Sequence, residues 1–306
     1  MVPTPKTPPL MSIETLTIQI LDKMPRIHKW QHSFMVHLFT LLLRLRGRHN
    51  FENLSRYGIY NEATYRSWYG ATFDFCTFNR LLIKSLEEEP RVIAFDPCFL
   101  PKSGQHTDGV GYFWSGCAGR AEHGLEIAGF ASIGLRTRTA MHLHAQQTID
   151  YTTQGTLLEY YAHLLNKLST QLQEISSVVV ADSYFAREPF VTSLLKDGFN
   201  LVSKLASNAV LLYPHKGPKT GKRGRPKKYD GRVDWLHPRE THFTPVIIQE
   251  GVKAFEGLVY VKAFKRIVKC IIVHNKRKNG TIKAEVFFST DTLSLIHISE
   301  PTRLAT

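Results

Sequence analysis

The chain has 306 residues, of which 43% are hydrophobic and 11% aromatic, enough to exclude a chain disordered throughout. Its 39 Lys and Arg outnumber 26 acids and give a net charge of +13, which favours a polyanionic partner, most often nucleic acid. The four cysteines, Cys76, Cys98, Cys117 and Cys270, form no Cys-x-x-Cys pair, so neither a zinc ribbon nor a disulfide framework is indicated and a reduced cytoplasmic setting is expected.

Residues 1–11 hold four prolines and no apolar signal core, and are expected to be disordered. From about Ser12 to residue 88 the pattern predicts a helical domain. Phe34 to Leu45 is apolar enough to predict a largely buried helix, yet His37 and Arg44 interrupt it and it is too short for a bilayer. Arg44, Arg46 and Gly47 suit its end. Two short helices, Phe51 to Tyr57 and Asn61 to Tyr69, turn at Gly58 with Asn61 as N-cap. They resemble a helix-turn-helix with Tyr65, Arg66 and Trp68 on the second helix, which makes Arg66 a candidate DNA contact; a small helical domain without DNA contact fits equally.

After Pro90 the pattern changes. Val92-Ile-Ala-Phe95 is a buried-strand run ending at Asp96, and Ser177 to Ala181 is another ending at Asp182. Strands are also predicted near 109–117, 125–135, 142–149 and 199–203, with helices at 157–172 and 187–196. Alternation of this kind predicts an α/β fold over 89–212. A basic linker, 213–232, carries Lys216, Lys219, Lys222, Arg223, Arg225, Lys227, Lys228 and Arg232 against Asp230 alone. Strands at 244–248, 258–264, 268–274 and 282–288 make 233–292 a β-rich insertion or core continuation, with Asn279-Gly280 as a hairpin turn.

Asp96 and Asp182 are the informative pair. A carboxylate closing an apolar strand is costly unless it reaches an open edge, pairs with a cation or binds metal. Two of them on neighbouring strands would point into one site of the oxygen-only kind that Mg²⁺ (or Mn²⁺) prefers. Alternatively each is a strand-end turn residue or a helix cap. Trp114 and Trp235 are candidates for stacking on a base, with core packing the simpler expectation. His142 and His144 lack partner ligands at metal spacing, and Glu126 is given no metal role.

Asp96 begins Asp-Pro-Cys-Phe-Leu-Pro-Lys-Ser-Gly, and Asp182 lies in Ala-Asp-Ser-Tyr-Phe-Ala. From about Arg91 to Asp291 the chain resembles the DDE transposases of bacterial insertion sequences, in the group typified by insertion sequence 4. There the first Asp sits in Asp-x-Ser/Thr-x-x-x-Lys-x-Gly and the second follows a Val/Ile-rich strand. The resemblance implies an RNase H-like catalytic core, a mixed sheet with flanking helices, preceded by the helical domain and interrupted by the β-rich insertion. Asp96 and Asp182 would be the catalytic metal ligands, and Lys102 and Gly104 match the family's Lys and Gly. Cys98 replaces the family's Ser/Thr. The implied partner is double-stranded DNA, transposon ends and target, with no membrane and a homodimeric assembly. Gly221 to Lys228 contains the Arg-Gly-Arg-Pro core of an AT-hook, whose flat Arg-Gly-Arg fits a narrow A·T minor groove. Lys222, Arg223, Arg225, Lys227 and Lys228 are therefore DNA-contact candidates; a solvated charge run is the alternative.

The family's third acid, a Glu on a helix after Ser-Thr-Asp, is not found after Ser289-Thr290-Asp291. Residues 293–303 instead resemble a translated sequencing adapter. Native sequence is thus expected to end near Thr292, with Glu300 excluded and Glu285 a poor substitute. The chain is expected to be a truncated, inactive transposase fragment. A non-catalytic DNA-binding protein and a metal-dependent nuclease remain its rivals.

Overall fold

A computed structural model describes residues 12–86, 88–104, 106–149, 155–217, 226–249, 252–277 and 280–292. The proline-rich start, the Arg-Gly-Arg core with Lys222, Arg223 and Arg225, and the adapter-like string 293–303 lie outside the described residues. The chain divides into two compact units, one ending at Glu88 and the other beginning at Glu89.

The first unit is helical: α1 (Ile13–Leu21), α2 (Lys29–Arg44), α3 (Phe51–Tyr57), α4 (Glu62–Tyr69) and α5 (Phe75–Lys84). Four short polar side chains set the starts of α1, α3, α4 and α5. Ser12, Asn50, Asn61 and Asp74 each accept a hydrogen bond from the backbone N–H three residues on. α2 is less buried than its composition predicts: Phe34, Met35 and Leu41 enter the core while Leu43 is 66% exposed. A unit of this size covers one side of a four-turn helix and leaves the other to solvent. Tyr65 and Trp68 do not face outward as a reading helix would require. Tyr65 is buried, with its hydroxyl 2.7 Å from His37 Nε2, and Trp68 stacks on Phe34 at 5.1 Å.

The second unit is built on a twelve-stranded mixed sheet. Its first part comprises β1 (Arg91–Pro101), β2 (Gly111–Ser115), β3 (Arg120–Gly134), β4 (Ala140–Gln147), α6 (Leu157–Lys167), α7 (Ser169–Gln173), β5 (Val178–Val180), α8 (Glu188–Lys196) and β6 (Asn200–Lys204). The helix expected over 157–172 is split at Leu168, which leaves helical geometry at ψ 1°. Thr156 and Glu159 start α6 with a reciprocal capping box. The strands of this part lie in the order β4-β3-β1-β5-β6. β1, β5 and β6 run parallel, β3 runs antiparallel to β1, and β4 antiparallel to β3. β2 pairs with the start of β3.

The remaining strands are β7 (Leu211–Pro214), β8 (Tyr229–Arg232), β9 (Phe243–Gln249), β10 (Val252–Val261), β11 (Arg266–Lys276) and β12 (Ile282–Ser289). They continue the same sheet, because β12 pairs with β6. β10 starts six residues before the strand expected at 258. Phe243 to Gln249 offers it an antiparallel partner that local pattern cannot see. The expected hairpin after β11 is present, closed by Gly280 at φ 81°.

One face of the first part is covered by α6 and α8. Phe95 sits there among Phe130, Tyr161, Phe185 and Phe190, with ring centroids 4.8 to 6.3 Å away. No helix among the described residues is long and apolar enough to cross a membrane.

In the first unit, Gly58 at the α3–α4 turn leaves no room for a methyl group, which would meet the Tyr65 hydroxyl and the Leu54 carbonyl. Gly58→Ala is expected to lower the stability of the helical unit by about 1–3 kcal/mol. Urea unfolding followed by helical circular dichroism checks this, and an unchanged midpoint would contradict the packing described.

Candidate active site

β1 does not end at Asp96, as its apolar run suggests. β3 is fifteen residues long and pairs β1 without a break from Arg91↔Gly134 to Pro101↔Gly124. What ends near Asp96 is the parallel pairing: Ile93↔Val179 and Ala94↔Val180 are the registered pairs, and two residues further on each strand stand Asp96 and Asp182. The two carboxylates therefore leave neighbouring strands at one level, roughly 5 Å apart in strand spacing. Alternation puts them on one face. Phe95 and Val179 point to the helices, so Asp96 and Asp182 point the other way, with Val92, Val178 and Val202.

Both aspartates are exposed. Asp182 also caps the 3₁₀ turn Ser183–Phe185, its Oδ1 accepting from Tyr184 N at 2.9 Å. Its carbonyl accepts from Ser203 Oγ at 2.7 Å, which ties the end of β5 to β6. The cap and the shared level coexist, so the turn-residue reading of Asp182 holds without displacing it from the site. Partial burial, then the charge of Asp182, then that of Glu126, hold the Asp96 carboxyl above the ordinary aspartate range. Crowded like charges of this kind suit a divalent cation.

Glu126, given no metal role from the sequence, is a buried acid satisfied by protein donors. It lies on β3 opposite Phe99, on the helix-covered face, and is 5% exposed. Its Oε1 accepts from the Tyr161 hydroxyl and, at 3.0 Å, from Thr148 Oγ1. Burial raises its affinity for a proton while those two donors oppose the shift. Its partners come from α6 and from the segment after β4, distant in sequence, and only its period-two match with Ala128 and Phe130 hinted at burial. Pointing to the opposite face, Glu126 is not a third ligand for the Asp96–Asp182 pair. Glu285, on β12, is held by Lys204 at 2.6 Å, Lys283 at 2.8 Å and Asn275 at 3.0 Å. Among the described residues no group of three or more His, Cys, Asp or Glu forms a metal site.

Lys102 is exposed immediately after β1, and Gly104 beyond it has φ 113°, a conformation suited to glycine. Lys227 and Lys228 stand at the other end of the sheet. β8 is six strand spacings from β5, roughly 30 Å along the sheet. There Asp230 gathers the base of the basic segment. Its Oδ1 lies 3.0 Å from Lys227 Nζ and 2.7 Å from His215 Nδ1, which together bring its carboxyl down to about 2. Arg66 belongs to the helical unit, where it pairs with Glu62 at 2.5 Å and covers the Phe51 ring. The fold thus brings Asp96 and Asp182 to one level, leaves Lys102 six residues further on, just past the end of β1 and roughly 20 Å away, and holds Lys227 and Lys228 further still. Trp114, expected in the core, is 65% exposed on β2, and Trp235 is half-buried.

No family model matches the chain, and no curated protein matches it. Among solved structures, a piggyBac transposase synaptic complex with hairpin DNA aligns over 90% of this chain at 13% identity and a TM-score of 0.35. The chain spans half the length of that protein. Endonuclease V of Ciona intestinalis, in complex with an inosine-containing DNA, aligns over 74% of this chain and 82% of its own at 9% identity and a TM-score of 0.26. At these scores the functional reading rests on the site itself.

A proton-affinity test follows from the Asp96 environment. Between the unfolded aspartate value, about 3.9, and the raised folded value, the native state holds more protons than the unfolded one. Stability therefore falls as pH rises through that window. In EDTA, Asp96→Asn is expected to be more stable than the parent at pH 7 by about 0.5 kcal/mol after solvent screening, and equal to it below pH 4. Thermal melts across pH measure the difference; a constant offset would show that the Asp96 carboxyl is not raised in the folded state.

Proposed function

We propose that the chain is the core of a DNA-cutting and DNA-joining enzyme of the DDE transposase class. The observation that carries this reading is that Asp96 and Asp182 stand at one level, on one face, at the carboxyl end of the parallel pairing of β1 with β5. Open α/β sheets place their sites at that end. The strand order β4-β3-β1-β5-β6, with β3 reversed, supports the RNase H-like core that the two motifs imply. Two exposed carboxylates with crowded charge are a donor set that fits Mg²⁺ or Mn²⁺. Bound there, such ions supply activation of a water or a 3′-hydroxyl and stabilisation of the leaving oxygen of a phosphodiester.

In this reading Asp96 and Asp182 hold the ions, and Asp182 is kept in place by its cap to Tyr184 and by the Ser203 hydroxyl. Lys102, just past the end of β1 and roughly 20 Å from Asp96, meets a phosphate further along the bound DNA. The segment around Lys222, Arg223, Arg225, Lys227 and Lys228 tracks the duplex at a distance and adds affinity without chemistry. The third acid is not among the described residues. With two carboxylates, the chain by itself is expected to bind divalent ions weakly and to cut poorly.

The test is divalent-ion stabilisation together with DNA binding. Millimolar Mn²⁺ is expected to raise the melting temperature of the chain by a few degrees through mass action. Asp96→Asn and Asp182→Asn should each remove that rise while duplex affinity stays within about twofold, since neither acid contacts phosphate directly. Retained Mn²⁺ stabilisation in both variants would overturn the metal site. Loss of duplex binding in the parent at low salt would overturn the DNA reading. Supplying 3′-hydroxyl ends and a target duplex, and assaying for joined product, separates a transposase from a nuclease.

A further inference from the structure

The face that carries Asp96 does not stop there. Register follows it outward along β3, where directly opposed residues share a face. Asp96 stands opposite Gly129, Cys98 opposite Ile127 and Leu100 opposite Leu125. Beyond the end of β1 the same face passes to β2, with Tyr112 opposite His123 and Trp114 opposite Ala121. The positions on β3 are 129, 127, 125, 123 and 121, an unbroken alternation, and neither pairing contains a bulge. From Tyr112 to Asp96 is six residues of β3, roughly 20 Å.

This face is open and aromatic at its outer end. Tyr112 is 73% exposed and Trp114 65%, and the Tyr112 ring meets His123 edge-on at 5.6 Å. Phe113, between them, is buried and keeps β2 on the sheet. Large aromatic side chains two residues apart on a strand normally lie against another layer, and here they face solvent. Leu100, 41% exposed, and the exposed Cys98 continue the surface to the carboxylates. Among the described residues, this face of β1, β2 and β3 carries no acid between Trp114 and Asp96, and Lys102 and His106 are exposed in the β1–β2 connection. The same connection also exposes Asp108, so the acid-free run is that of the strands themselves, leading from the rings to the candidate catalytic pair.

We propose that Tyr112, Trp114 and His123 form a stacking platform for unpaired bases, which leads a single-stranded DNA segment to the Asp96–Asp182 pair. Exposed rings bind the faces of bases without selecting among them, since every base has a π-face. A duplex keeps those faces inside its stack, so the platform distinguishes single-stranded DNA from duplex. The proposal rests on the reading of Asp96 and Asp182 as a DNA-processing site, and adds that the DNA next to that site is unpaired.

Fluorescence anisotropy with three labelled probes tests it on the whole chain: oligo-dT, the same length of abasic deoxyribose-phosphate, and a blunt duplex. Oligo-dT is expected to bind more tightly than the abasic strand, which has the same charge. The double variant Tyr112→Ala/Trp114→Ala should weaken oligo-dT binding by roughly 5- to 100-fold for each stacked base lost, and leave abasic and duplex binding unchanged. Tyr112→Phe/Trp114→Phe should bind oligo-dT nearly as the parent does, which separates stacking from any change in β2. Equal affinity of the parent for oligo-dT and the abasic strand, or unchanged oligo-dT binding in the alanine variant, would overturn the platform while leaving the metal-site reading standing. Failure of the parent to bind any of the three probes would overturn the DNA-processing reading with it.

Discussion

β1 is held along its whole length by β3 and near its start by β5, and the period of two along it fixes the direction of every functional side chain nearby. Phe95 is the anchor. Buried among four other aromatic rings on the helix-covered face, it leaves Asp96 only the opposite face. A slip of one residue would bury the carboxylate in that cluster and expose the phenyl ring, so the register is strongly determined. β5 copies the same arrangement, with Val179 inward and Asp182 outward. Because it runs parallel to β1 and in register, the two acids meet at the same end.

The two faces of this sheet treat acids differently. Glu126, on the covered face, is surrounded by protein and satisfied by Tyr161 and Thr148. Asp96 and Asp182, on the open face, keep contact with water and with each other's field. An acid of the first kind is a structural element whose cost is offset by neutral donors. A pair of the second kind has charge that only a cation neutralises. The same open face is where Tyr112 and Trp114 stand uncovered, so acids and rings are displayed on one continuous surface.

Charge is divided along the sheet rather than gathered at the acids. The strands after β6 carry the meander away from the site and set the base of the basic segment at its far end. There Asp230 binds Lys227 and His215 across the β7–β8 pairing. A cationic segment placed close to two unmetallated carboxylates would neutralise them in place of a metal. On the proposed reading, separation along the sheet keeps metal binding and duplex binding independent.

Much of this was present in local pattern. The α/β alternation, the two Asp-terminated apolar runs, the cap at Asn61 and the hairpin at Gly280 each depend on a few adjacent residues, and local chemistry suffices to specify them. Other features depend on partners far along the chain. That β1 passes beyond Asp96 was decided by β3, whose length supplies hydrogen bonds to Pro101. That α2 is half exposed was decided by how little of the helical unit is available to cover it. Tyr65 and Trp68 turned inward because Phe34 and His37 receive them, and Trp114 remained outside because nothing described in its own unit packs over that face of β2. The sequence by itself determined which residues could be a metal-binding pair. Only the tertiary structure decided that they share a face and a level, and that Glu126 does not join them, because parallel register and side-chain direction arise when separate strands meet.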